Sequence, residues 1–486
     1  MRSFTIEAKS YERYDVVVCG GGTAGCFAAI AAAREGKKTL MLERTFTPGG
    51  MLTIGEAGIT KFTEHCKDVD KYKNEVLDAL ATTPEKVQVV RGLAREYSVR
   101  MLEAGVAVGT HGEPGSYIFS DKEGAIRTMI NMLDEAGVSV LYDTRVVLTS
   151  MDGERIRSVV VANKSGFTEI EADVFIDATG DGDVAVLAGA SANVGACQAD
   201  IDEGSKVALG EMQGHGTMYR VRGVDFERLF AYLDEHPERF HQHEFGVMSL
   251  ENVKESYRNG EMCVFRIKLM ELIPTSGGAG VVQIYNLPAK DEAILLGPLC
   301  GSGAKNANGL DAANISYWQH KLKLGADRLT NILHSFPGFE KAVTYYVPDI
   351  GVRETRHIVG EYTITALDVV SGKYFDDTIA CGGHPVDIHP IPPEIENMDF
   401  NHWRFYIPYR ALIPRGVSNL LVAGRCVSAT RIAAGAIRPT AQCIAMGEAA
   451  GIAAAMLVGK NIAAKDVDVT ALRARLRSLG AVIDKA

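Results

Sequence analysis

Gly20, Gly22 and Gly25 stand in the order G-x-G-x-x-G, and an acidic residue, Glu43, follows them. These residue types at this spacing suit one task, the holding of a dinucleotide. The first glycine permits a tight turn, the second lets a pyrophosphate approach the backbone with no Cβ in the way, and the third lets a helix pack closely on a strand. The pyrophosphate then meets free N–H groups and the positive dipole end of that helix. Glu43 can accept hydrogen bonds from a ribose hydroxyl, which disfavours a 2′-phosphate at the same place.

The motif works only if strand, turn, helix and strand follow in that order. Tyr14–Cys19 reads YDVVVC, a β-branched run suited to a buried parallel strand. The Ala-rich residues 26–34 predict a helix, and Gly36 ends it. Thr39–Leu42 is a second apolar strand that closes at Glu43. The result is a βαβ unit of about 30 residues, the setting the glycine motif requires. The motif alone does not separate NAD from FAD, but three further segments bear on that choice. Arg44 is followed by Thr47-Pro48-Gly49-Gly50-Met51, whose glycine pair lets the backbone run beside an extended cofactor. The second segment is Ile176-Asp177-Ala178-Thr179-Gly180-Asp181-Gly182. The third is Asn419-Leu420-Leu421-Val422-Ala423-Gly424-Arg425, with Ile437-Arg438-Pro439-Thr440 downstream.

These segments resemble the FAD-dependent oxidoreductases with a glutathione-reductase-type FAD domain, a group with a G-G-G-x-A-G start, an I-D-A-T-G-D-G-D middle and an N-L-L-V-A-G-R end. The likeness extends to residues 351–362 (GVRETRHIVGEY) and 406–410 (YIPYR), and is weakest over residues 191–296. It implies FAD as cofactor. It further implies that Gly20, Gly22, Thr23, Ala24 and Gly25 hold the pyrophosphate and Glu43 the adenosine ribose. Arg44, Gly50 and Met51 would line the path toward the flavin, and Val146 would meet adenine through its backbone. Ala178, Thr179 and Gly180 would pass close to the phosphate and ribose, and Gly424 and Arg425 would follow the ribityl chain. Arg438 and Thr440 would bring a helix N-terminus to the flavin N1–C2 edge, where reduction places negative charge that a helix dipole stabilises.

Elsewhere, residues 121–136 predict a helix and 138–142 a strand. Residues 145–176 alternate apolar and polar side chains around turns at Asp152-Gly153 and Lys164-Ser165-Gly166, as a β-meander does. A second domain of different texture, with charged helices, histidines and Pro-rich stretches, covers 191–404 and shapes a substrate pocket. The expected fold class is α/β: a three-layer Rossmann-like FAD domain, discontinuous in sequence, with an inserted α+β substrate domain. The FAD domain takes residues 13–190, with a helical insertion near 61–119, and resumes at 405–460. A helical tail follows at 461–486.

The 486-residue chain carries 51 Lys and Arg against 61 Asp and Glu, a formal net charge of -10, which argues against general binding of a phosphate backbone. None of its nine cysteines forms a C-x-x-C pair, which argues against a zinc ribbon, an iron–sulfur site and a disulfide framework, and for free thiols in a reducing compartment. Residues 1–13 have no apolar run of the signal-peptide kind. Residues 440–458 are long enough to span a bilayer but carry Glu448 among small residues, which predicts a helix buried in a globular core. The expectation is a cytoplasmic protein.

On the substrate side, Arg353, Arg356 and His357 fall in one short segment. They could bind an anionic substrate group or supply a general acid or base, or they could form a turn salt-bridged to Glu354 and Glu361. His65 could act as a base on the flavin's substrate face, or be an exposed histidine at a helix start. Arg431 lies where relatives often have histidine, which favours electrostatic stabilisation of an oxyanion or carboxylate over a histidine base. His384, Asp387 and His389 suggest a metal by composition, but their Pro-rich setting and spacing favour a loop that walls the active site, and no metal is expected.

The expected reaction is hydride transfer between a small organic substrate (a CH–OH, CH–NH or CH–CH donor) and flavin N5. One alternative is a reductase or monooxygenase that uses NAD(P)H, and another is a non-catalytic FAD-binding protein. No second G-x-G-x-x-G in a βαβ setting is present, since Gly301-Ser302-Gly303-Ala304 lacks the last glycine and the preceding strand. The electron acceptor is therefore left open among oxygen, a quinone, a protein and a transient nicotinamide. The expected partners are the substrate and this acceptor, with no nucleic acid and no membrane, and with a homo-oligomer as an open alternative.

Overall fold

The computed structural model describes residues 5, 7–60, 62–63, 75–76, 78–242, 248–269, 280–300, 306–388 and 404–485. His65, Cys66, His389 and Gly301–Ala304 lie outside them.

The apolar runs singled out above become the strands of a parallel sheet. Its order is Ser139–Leu141, Thr39–Leu42, Tyr14–Cys19, Gly166–Asp177, Leu420–Val422. Tyr14–Cys19 and Thr39–Leu42 are buried almost throughout, as strands covered on both faces must be. Gly166–Asp177 serves two sheets. Its second half joins the parallel array, while its first half pairs antiparallel with Arg155–Asn163, which pairs in turn with Arg145–Asp152. That is the expected meander. Asn419 fastens it to the last strand: its side chain accepts from Ile156 N at 2.8 Å and donates to the carbonyls of Ile156 and Asp173 at 2.9 and 3.0 Å.

Two helices of small residues lie in the main core, Thr23–Arg34 and Thr440–Leu457. Gly447 and Gly451 face the backbone carbonyls of Ala24 and Ala28 so closely that a Cβ at either position would overlap them. Alanine and glycine thus let the two helices approach almost backbone to backbone. Thr440–Leu457 is the one described helix long and apolar enough to cross a membrane, and 89% of it is buried inside the fold. Lys122–Ala136, capped by Asp121, which accepts from Gly124 N at 2.7 Å, packs beside the first helix. Between residues 59 and 120 stand helices Asp78–Thr82 and Leu93–Glu103 and a small sheet of Ile59–Thr60, Tyr117–Ser120 and Ala107–Val108.

A second hydrophobic core belongs to an antiparallel sheet in the order Phe240–His241, Val264–Lys268, Val281–Asn286, Glu292–Leu296, Tyr219–Arg222, Val343–Tyr346. Helices Phe226–Glu235 and Ala312–Leu333 contribute to the same core. This second sheet, the cap sheet, is tied to the segment that follows Gly49–Gly50 by the buried ion pair of Arg220 and Glu56, whose Nε–Oε2 distance is 2.7 Å. Arg220 also donates to the Ser120 carbonyl at 2.7 Å, and Tyr346 Oη to the Ile54 carbonyl at 3.1 Å. Glu56 itself has a left-handed backbone, φ 57°.

Candidate cofactor and active site

The three glycine-bearing segments, far apart in sequence, meet at the C-terminal ends of the parallel strands. Gly20 has φ +103°, and a Cβ there would come 2.5 Å from the Ala178 carbonyl oxygen. A Cβ on Gly25 would overlap the Gly20 carbonyl. Only glycine fits either place. Around Gly22 the space is open, with no atom within 4 Å of where a Cβ would stand. Gly49 N donates to the Gly21 carbonyl at 2.8 Å, which lays the Gly49–Gly50 loop against the turn. Ala178 N donates to the Cys19 carbonyl at 2.9 Å, and Ala423 N to the Asp177 carbonyl at 3.0 Å. These bonds bring Thr179, Gly180, Gly424 and Arg425 to the same cleft. Gly424 faces Ala24, and Gly180 faces the Arg425 guanidinium.

Glu43 is buried and accepts from Gly21 N at 2.8 Å and from Thr45 N and Oγ1 at 2.7 and 2.8 Å. A carboxylate has about four acceptor sites, so a ribose hydroxyl can still be added. Thr144 N donates to the Glu43 carbonyl at 2.9 Å, which sets the start of the next strand, with Val146, beside it. Arg44 and Met51 are both exposed. Asp177, fully buried, accepts from Thr179 N, Thr179 Oγ1 and Ala185 N at 3.1, 2.7 and 2.9 Å. Burial pushes its carboxyl up to about 6 against those bonds.

Two of the helix starts described above open on this region, a third does not, and their end groups differ. Leu93–Glu103 has its first N–H taken by Glu448, which accepts from Leu93 N at 3.1 Å. Thr23–Arg34 and Thr440–Leu457 have no side-chain cap and no acid in the first turn. Their N–H groups are therefore left for a ligand. The amide of Gln442, on the first turn of Thr440–Leu457, is fully buried with neither end bonded among the described residues. Arg438 Nε, Gln213 Nε2 and both ring nitrogens of His215 are likewise buried and unpaired there. Native interiors seldom leave such groups bare. An open cradle, two free helix ends and this set of orphaned polar atoms are what a chain needs in order to receive an extended dinucleotide and a polar molecule beside it.

The opposite wall is made of paired charges. Arg425 donates to Asp181 Oδ1 at 2.6 Å and to Thr355 Oγ1 at 2.9 Å, and Thr355 Oγ1 donates to the same Asp181 oxygen. Burial alone would raise the Asp181 carboxyl, but the Arg425 charge holds it below its ordinary value. Arg431, fully buried, pairs with Glu354 at 2.9 Å and donates to the Glu211 carbonyl at 2.6 Å, while its backbone N–H donates to Asp200. Glu354 also faces His357 Nε2 at 3.2 Å and accepts from Gln213 N at 2.7 Å. These partners outweigh burial and lower the Glu354 carboxyl. Arg353 and Arg438 share Asp387, at 3.1 and 2.8 Å. Burial lowers Arg438, and the nearby charges of Arg353 and Arg425 lower it further. Arg356, on strand Arg356–Ile358, turns instead to Asp183 Oδ1 at 2.8 Å and to the Asp181 carbonyl.

Of the residues proposed from sequence for the substrate side, the structure thus brings together Arg431, His357 and, through Asp387, Arg353 with Arg438. Arg356 stands apart, in a pair with the exposed Asp183. His384 Nδ1 lies 2.6 Å from the Pro385 carbonyl. Sequence reasoning passed over His215, Gln213 and Gln442. None belongs to a recognisable spacing, and only the unpaired polar atoms of the folded chain mark them. A cavity of 470 Å³ lined by Arg34, Arg91, Arg95, Glu96, Arg100 and Glu448, among others, opens elsewhere. Several of its charges already pair with one another, as Arg34 and Arg100 do with Glu96, and it touches none of the glycine segments.

Comparison with known proteins places the chain. The profile of the FAD dependent oxidoreductase family matches residues 15–476, so the chain belongs to that family: it is an FAD-dependent enzyme. It is 28% identical over 171 residues to digeranylgeranylglycerophospholipid reductase 1 of Methanococcoides burtonii, a match over 35% of this chain and 38% of that one. Among solved structures, a geranylgeranyl bacteriochlorophyll reductase-like protein of Thermoplasma acidophilum aligns over 96% of this chain and 83% of its own, with TM-score 0.42 and 15% identity. A flavoprotein/dehydrogenase of Cytophaga hutchinsonii aligns over 95% and 82%, with TM-score 0.41 and 11% identity.

Proposed function

We propose that the chain carries out two-electron oxidation or reduction of a small organic molecule at bound FAD, with a CH–OH, CH–NH or CH–CH carbon as donor or product. The observation that carries this reading is the meeting, at one cleft, of the glycine cradle and two uncapped helix ends with a cap-side wall of buried polar groups. Gly20, Gly22, Thr23, Ala24 and Gly25 would hold the pyrophosphate, and Glu43 the ribose. Gly50, Met51, Thr179, Gly180, Gly424 and Arg425 would line the extended path. FAD supplies the two-electron acceptor at N5. The N-terminus of Thr440–Leu457 lies next to the Arg353–Asp387–Arg438 cluster, in which two guanidiniums share one carboxylate. Those two positive sources favour negative charge there, on the reduced cofactor and on an anionic substrate group. Arg431, locked to Glu354, holds the wall behind them.

The test is an anaerobic titration of the purified protein, followed in its flavin absorbance, with small alcohols, amines, hydroxy acids and NAD(P)H. Bleaching by an organic donor, weakened by Arg353→Ala, supports the reading and names the substrate class. Bleaching by NAD(P)H alone moves the assignment to a reductase or monooxygenase. Protein that cannot be loaded with FAD overturns the reading.

A further inference from the structure

His215 is fully buried, and neither of its ring nitrogens has a hydrogen-bond partner among the described residues. An imidazole always carries at least one N–H or one lone pair in need of a partner, and leaving both nitrogens bare in an interior is costly. The surroundings say where the partner comes from. The next residue, Gly216, exchanges backbone hydrogen bonds with Gly351 at 3.2 and 2.7 Å. A Cβ on Gly351 would stand 3.4 Å from Met51 Cε, on the loop that continues from Gly49–Gly50. Two residues before His215, Gln213 has a second orphan, its Nε2, while its backbone is held by Glu354. The Arg425 charge also reaches the imidazole. His215 therefore sits between the cap-side segments and the loops assigned to FAD.

We infer that His215 is a catalytic residue that faces bound FAD and substrate and exchanges the proton of the redox step. In the oxidising direction, a substrate H–C–O–H or H–C–N–H loses its C–H hydrogen with the bonding electron pair to FAD, the oxidant. The O–H or N–H proton passes to the lone-pair nitrogen of His215, and C=O or C=N forms. The inference rests on the flavin redox reading above. The charged groups on the segments against His215 include Arg425, paired with Asp181, Arg353, paired with Asp387, and Glu354, paired with Arg431 and His357. Burial first, and the Arg425 charge second, push the imidazole down to about 4, so it is neutral and able to accept at neutral pH. Negative charge arriving on the cofactor with the electrons raises its proton affinity.

The experiment is a proton count on the FAD-loaded protein. The flavin is photoreduced anaerobically in weakly buffered solution with a pH indicator, at several values between pH 5 and 8. Wild type is expected to take up as much as one proton per FAD more than His215→Gln, while His334→Gln, whose ring bonds the Ala342 carbonyl, matches wild type. Equal counts in wild type and His215→Gln, both holding FAD stoichiometrically, would overturn the assignment. His215→Asn replaces His215→Gln if the latter does not retain FAD. Loss of FAD by both variants, with unchanged melting of the apo protein, would make His215 a cofactor-holding residue and overturn the proton role. Wild-type protein without FAD is a failure of the redox reading and is recognised as such before any proton is counted.

Discussion

The two walls of the cleft are built by different means. The cradle is backbone: a turn, two helix ends and three strand ends, positioned by glycines whose missing Cβ atoms leave the room. The wall opposite is side chains: Arg425 with Asp181, Arg431 with Glu354 and His357, Arg353 and Arg438 with Asp387. A backbone site is specified by short local motifs and fails sterically. A side-chain site is specified by partners distant in sequence and fails electrostatically. The same contrast separates the helix starts. Those of Thr23–Arg34 and Thr440–Leu457 are free of acids, while that of Leu93–Glu103 is occupied by Glu448.

Substitutions sharpen this contrast, and the largest effect belongs to the cradle. Gly25→Val places atoms inside the Gly20 carbonyl, which must shift the turn. The expected loss exceeds about 4 kcal/mol, the range of severe overpacking, and FAD content read by absorbance should fall to background. Next comes the opposite wall. Arg431→Met leaves Glu354 buried with a single ionic partner, and removal of one member of such a pair costs about 3–5 kcal/mol, read as a lower urea midpoint at unchanged slope. FAD binding should fall far less than in the glycine variant. If instead FAD is lost and stability is kept, the two walls do not divide the work as described.

Glu448 offers a pH test of the occupied helix start. Burial pushes its carboxyl up to about 8 from an ordinary 4.5. A folded value above the unfolded one means that the carboxyl's stabilising share is complete below about pH 4.5 and is lost as pH rises through 8. Unfolding free energies at pH 5, 7 and 9 should therefore fall more steeply in wild type than in Glu448→Gln, which has no charge to bury. Parallel curves would show that the site is wet enough to hold the carboxylate. The smallest effect is expected at Arg356→Ala. Its pair with the exposed Asp183 is worth about 0–1 kcal/mol, so melting and FAD content should barely change. A large loss of flavin reduction with no loss of FAD would return Arg356 to the substrate side.

Much of the cradle could be read before any coordinates. Tyr14–Cys19 and Thr39–Leu42 form as their β-branched and apolar runs predict, and the helix between them extends the predicted one back to Thr23. The predicted meander and the late helix from Thr440 also form. The helix read as buried despite its hydropathy is buried, because its alanines and glycines pack backbone against backbone. The substrate side was harder. Arg353, Arg356 and His357 look alike as one charged segment, yet the fold sends them to three different carboxylates, on Asp387, Asp183 and Glu354. No spacing in the chain announces that the Gln213 Nε2, both His215 ring nitrogens and the Gln442 amide have no partner among the described residues.

By itself, then, the sequence determined the glycine turn in its strand–helix–strand setting, the α/β class and the family, because tight turns, buried strands and close helix contacts each demand particular residues at neighbouring positions. The tertiary structure alone decided which arginine meets which carboxylate, which helix start stays open, and which buried imidazole has no partner among the described residues. Ion pairing and desolvation act through space between segments that lie up to a few hundred residues apart, and neither leaves a local pattern in the chain.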